Sequence, residues 1–286
     1  MEHTLQAVGD YLASDVLLTF KQLLIVLGPL LLLASVLQLL SRYVRNHAAA
    51  VIGGDVYTYL TAPGVMIHEL GHVFFCLVFG HKIIKVRLFK PDHNGTLGVV
   101  EHAFNPRNPY QRVGNFFIGT GPIWFGSAIV YLLTRFLLGY GMTEPPSSAV
   151  SAAHASLTNW AGAETIVGQV AVATWQLFTC LLRPSLLSSV RFWVFVYLVF
   201  CIGSHITLSP PDIRGAWRGF VSLVLLLLLF NLLTLWMGTG YSTRACDTLV
   251  RWCIVLYAAI LFVVGLNLAL ACLMFVLSSL TGRGRR

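Results

Sequence analysis

The run His68-Glu69-Leu70-Gly71-His72 lies inside an apolar stretch from Ala62 to Phe79. Residues four apart share one face of a helix, so the His68 and His72 imidazoles can turn toward a single ion. Glu69 sits one step round the same helix and can act as a base toward water at that ion. Placing an ionisable side chain in a membrane-crossing segment costs at least about 2.5 kcal/mol, so three such groups together mark a functional site. Zinc is the ion indicated, because it takes imidazole nitrogen and carboxylate oxygen donors.

A catalytic zinc normally holds three protein ligands, and the two histidines leave one wanting. The chain has 11 acidic residues, most of them outside the apolar stretches. Asp212 stands apart, in Leu208-Ser209-Pro210-Pro211-Asp212-Ile213-Arg214-Gly215 at the junction of two apolar segments. Proline can begin a helix but not sit in its middle, so the Pro210-Pro211 pair holds Asp212 at or near a helix start. There it can be the third ligand or simply an N-cap. His205, seven residues earlier, is the other candidate for the third ligand.

The elements that must position these groups belong to a membrane protein. Of 286 residues, 57% are hydrophobic and 10% charged, against roughly a quarter charged in soluble domains. Apolar segments run from Leu17 to Leu40, Ala62 to Phe79, Val113 to Leu138, Ile166 to Leu182, Phe192 to Leu208, Phe220 to Trp236 and Cys253 to Leu280. The expected fold is an all-α polytopic membrane protein with about six transmembrane helices, some segments being short or re-entrant. No repeat or long linker divides it, so residues 1–286 read as a single membrane-embedded domain. Within it, 17–40 is an N-terminal anchor helix, 62–236 the core and 253–280 a C-terminal helix.

The net charge of +8 comes from clusters beside the spans: Arg42 and Arg45, Lys82 to Lys90, and Arg283, Arg285 and Arg286. That pattern fits positive-inside anchoring in a lipid bilayer and not nucleic-acid binding. The basic loops and the C-terminus are accordingly expected in the cytoplasm, and the loop Gly141 to Thr165 on the other side. Cys76, Cys180, Cys201, Cys246, Cys253 and Cys272 form no C-x-x-C pair and read as small apolar residues. Between the histidine helix and Gly119 the period changes. Ile84, Val86 and Leu88 alternate with Lys85, Arg87 and Phe89, Pro91 to Gly95 supplies turn chemistry, and Thr96 to Val100 is again extended. This predicts a small β-hairpin.

Taken in order, His68-Glu69-Leu70-Gly71-His72, Gly119-Thr120-Gly121-Pro122 and the proline-rich turn with Asp212 resemble the site-2 protease family of intramembrane zinc metalloproteases. The resemblance covers roughly Ala62 to Trp236. It implies Zn²⁺ held by His68, His72 and Asp212, with Glu69 as the catalytic base and a membrane-spanning protein as substrate. It also implies that the hairpin edge pairs with an unwound substrate segment. The family's asparagine after the Gly-Pro element has no counterpart in Ile123-Trp124-Phe125-Gly126, and Asn115 is the stand-in. Two other classes remain open from the residues alone: a transporter or ion-pathway protein using the same groups as a relay, and a catalytically silent membrane regulator that keeps the fold.

Overall fold

The computed structural model describes residues 2–92, 95–139, 163–237 and 240–280. The described residues are mostly helical. α1 (Glu2–Ile52) is followed by α2 (Gly54–Leu60), α3 (Ala62–Val78), β1 (Lys82–Arg87), β2 (Val99–Ala103), α4 (Pro109–Gly119) and α5 (Gly121–Leu138). Then come α6 (Ala163–Leu181), α7 (Pro184–Leu187), α8 (Val190–His205), α9 (Pro210–Met237) and α10 (Gly240–Leu280). The expected loop from Gly141 to Thr165 lies largely outside the described residues, as do His93, Asn94 and the arginines of the tail.

Among the described residues four helical stretches are long and apolar enough to cross a membrane, within α1, α5, α9 and α10. α2 and α3, bent by 56° at Thr61, make a fifth if counted as one broken span. The expected number of about six spans is therefore met only in part. Two segments differ from expectation for identifiable reasons. The stretch Val113 to Leu138, expected as one span, is two helices broken at Thr120, because Pro122 cannot supply the N–H that would continue α4. The anchor expected over 17–40 lies within a helix of 51 residues. At 1.5 Å per residue that is about 75 Å, more than twice the hydrocarbon thickness. It ends where Gly53 takes φ +92°, a conformation that non-glycine residues rarely adopt.

The two strands pair antiparallel, Lys82 opposite Ala103 and Arg87 opposite Val99, with a bulge between Ile83 and Lys85. The expected hairpin is present, shifted by two residues at the start of the first strand and three at that of the second. A single buried cluster, including Leu30, Leu37, Ile123, Phe195, Ile202 and Phe262, joins α1, α5, α8 and α10. Polar side chains bind α1 to α9: the Asn231 amide donates to Thr19 Oγ1 and Gln22 Oε1, both at 2.8 Å. Such bonds between apolar helices replace the water that lipid withholds. Of the cysteines, Cys76, Cys201 and Cys253 are buried, as expected, whereas Cys272 is exposed.

Candidate metal centre

The inner face of α3 carries Val65, Glu69, His72 and Cys76, all buried and spaced at helical intervals. His68 lies at the edge of that face. Close contact with the neighbours depends on residues without side chains: a Cβ on Gly71 would sit 3.0 Å from the backbone of Gly121 in α5. Glycine at that point lets α3 and α5 touch backbone to backbone.

Each histidine is oriented by a carbonyl that lacks its helical bond from the N–H four residues on. His72 donates Nδ1–H to the Ile118 oxygen at 2.7 Å. The helical partner of that oxygen would be the N–H four residues on, and residue 122 is proline. His68 donates Nδ1–H to the His205 oxygen, also at 2.7 Å. The N–H four residues beyond His205 belongs to Ser209 and goes instead to Asp212 Oδ2, at 2.7 Å. A carbonyl can only accept, so in both rings Nδ1 carries the proton and a neutral ring has its lone pair at Nε2.

Those two Nε2 atoms lie 3.2 Å apart. Asp212 Oδ1 is 3.2 Å from His72 Nε2, and Oδ2 is 3.6 Å from His68 Nε2. The three side chains are only 9 to 15% exposed. Two lone pairs and a carboxylate converging with so little solvent repel one another unless a cation stands among them. Donors about 2.0–2.1 Å from a tetrahedral zinc are about 3.3 Å from each other, close to the separations found here. The residues fit a metal ion, and His68, His72 and Asp212 are the group that can hold it.

Asp212 occupies the first turn of α9 and is not its N-cap. Ser209 precedes the helix and donates both its N–H and, at 2.6 Å, its hydroxyl to Asp212 Oδ2. With Pro210 and Pro211 stiffening the turn between, the carboxylate is held before any ligand arrives. His205, the other candidate for third ligand, directs its ring Nδ1 at the Cys201 carbonyl, 3.2 Å away. Its backbone oxygen, not its ring, serves the centre.

The donors open into a cavity of about 660 Å³ whose wall includes Glu69, Asn115, His102 and, from α1, Arg42 and Arg45. Glu69 is buried beside the histidines and is crossed by the loop between the strands. A Cβ on Gly98 would lie 2.5 Å from Glu69 Cγ and 2.7 Å from its Oε1, so a larger residue there would displace the Glu69 side chain. Asn115 reaches the cavity, but its amide Nδ2 is directed to the Gln111 and Arg112 carbonyls of its own helix, each at 3.4 Å. That geometry gives no support to Asn115 as an oxyanion donor.

Four contributors escaped the sequence: the Ile118 and His205 carbonyls, Ser209 and Gly98. The signal for the first was Pro122, four residues beyond the oxygen whose helical bond it removes. Compared with protein-family models, curated proteins and solved structures, the chain matches none. Fold and site by themselves define a class: a helical protein with helices long and apolar enough to cross a membrane and a His₂Asp group able to hold a metal.

Proposed function

We propose that this chain is an intramembrane zinc metalloprotease that hydrolyses peptide bonds of membrane-embedded proteins. The observation that carries the reading is the convergence of His68, His72 and Asp212 beside a buried Glu69, reached from an open cavity. A structural role alone asks for no free acid next to such a donor set. His68, His72 and Asp212 would hold the zinc, which when bound polarises a scissile carbonyl and acidifies water. Glu69 takes the proton from the attacking water and delivers it to the departing amine nitrogen as the C–N bond breaks and the new C–O bond forms.

A peptide bond inside a helix has its carbonyl hydrogen-bonded and shielded, so the substrate must be unwound at the cut. The β2 strand, with Val99 and Val100 on the cavity wall, offers an edge on which an extended segment can add as a further strand. The basic loops and the C-terminus face the cytoplasm in this reading, with the cut near that surface.

Replacing Glu69 with glutamine tests it. Because Glu69 is a base and not a ligand, purified Glu69→Gln should keep near-normal zinc and lose cleavage of membrane-protein substrates by about 10²-fold or more. Undiminished cleavage would remove Glu69 from the mechanism. Absence of bound metal from the wild type would favour the ion-pathway reading, and zinc without cleavage the silent regulator.

A further inference from the structure

His102, in the wall of the same cavity, belongs to a second histidine pair that the hydrolytic scheme leaves idle. His81, just before β1, is buried, and its Nε2 lies 2.9 Å from the Gln111 carbonyl oxygen in α4. That oxygen only accepts, so His81 Nε2 carries a proton. His81 Nδ1 is 3.0 Å from Nδ1 of His102 in β2. A neutral His81 has already spent its one ring proton, so it offers a lone pair there. His102 must donate its Nδ1–H to that lone pair.

The consequence lies at the far side of the His102 ring. Its Nε2 is left as a lone pair, with no hydrogen bond from the described residues, on a ring that lines the metal cavity. The opposite arrangement needs His81 as a buried imidazolium. Burial holds His81 below its usual value, and burial with the neighbouring His81 and His72 pushes His102 down to about 4. Both rings are neutral at neutral pH. The pair is also clamped mechanically: His81 stacks on Phe104 with ring centres 5.3 Å apart, and the Gln111 amide donates to the Gly80 carbonyl at 2.7 Å.

We propose that His102 is a substrate-contacting residue whose Nε2 accepts a backbone N–H of an extended polypeptide in the cavity, with His81 as the positioning residue that fixes its tautomer. A neutral acceptor at this place repels a developing oxyanion and attracts amide hydrogens. It therefore holds the substrate chain and does not stabilise the transition-state charge. The proposal rests on the protease reading, which supplies the unwound chain.

The test uses the purified zinc-loaded full chain and a peptide hydroxamate, alongside the same compound N-methylated at each backbone amide in turn. One methylation should weaken binding to wild type by about tenfold, the worth of a hydrogen bond at the strong end of the net range. The same methylation should cost under about twofold in His102→Ala, where the acceptor is already gone. His81→Phe keeps the stack on Phe104 but removes the lone pair, and should fall between the two. Nitrogen-15 spectra of wild type should show His102 protonated at Nδ1, a readout that needs no variant to fold.

Equal methylation costs in wild type and His102→Ala, or His102 protonated at Nε2, would overturn the proposal. Failure of the hydroxamate to bind any form, zinc being absent, would instead defeat the protease reading and take this contact with it.

Discussion

Asp212 is the residue on which the centre turns, because its carboxylate both accepts from Ser209 and faces the two imidazoles. In Asp212→Asn the amide oxygen can still accept the Ser209 N–H, and Ser209 still precedes the helix, so the helix start should survive. The lost charge cannot be replaced: a neutral amide is a poorer donor and leaves a divalent ion uncompensated in a low-dielectric site. Elemental analysis should show zinc well below one per chain with helicity unchanged. Full zinc occupancy in that variant would take Asp212 out of the ligand set. At this scale the residues that could hold a metal were legible because side-chain chemistry and i,i+4 spacing are written in residue types. The orienting carbonyls were not, because every residue has one. Only a proline four positions on distinguishes the Ile118 oxygen, and only once a histidine is known to be near it.

Elements bring those groups together through glycines at their crossings. α4 meets α9 where Gly119 lies so close that an added Cβ would stand 2.5 Å from the Asp212 carbonyl oxygen and 2.6 Å from the Ala216 nitrogen. Those atoms are backbone, so a side chain can be accommodated only by moving a helix. Gly119→Val should push α9 from α4 and part Asp212 from His72, whose orienting carbonyl is next door at Ile118. Zinc affinity and cleavage should both fall although no ligand has changed. Unaltered zinc binding in Gly119→Val would mean that the crossing does not set the ligand geometry. Periodicity showed the hairpin but not its limits. The bulge between Ile83 and Lys85 offsets the register, and pairing partners rather than local alternation decide where each strand stops. Length was the weaker signal for helices too, since α1 continues well past its apolar stretch at both ends.

For the whole molecule, composition was enough to indicate apolar helices in a bilayer, while the break at Thr120 and the bend between α2 and α3 depend on packing that hydropathy does not register. The candidate centre also joins early and late parts of the chain, α3 offering two donors and α9 the third. A metal ion bound there is therefore a non-covalent cross-link, and its free energy is shared with folding. With free zinc about 100-fold above its dissociation constant the stabilisation is about 2.7 kcal/mol. In a chain of this size that corresponds to a Tm shift of roughly 5–10 °C. Chelation of the detergent-solubilised protein should lower Tm by that order, since the carboxylate and the imidazole lone pairs then face one another without a cation. Zinc should restore it and magnesium, which prefers an oxygen shell, should not. The variant carrying His68→Ala and His72→Ala should melt at the same temperature with and without chelator. If the wild type also melts unchanged under chelation, then no metal links α3 to α9, and the close approach of the histidines to Asp212 has to be held by protons instead.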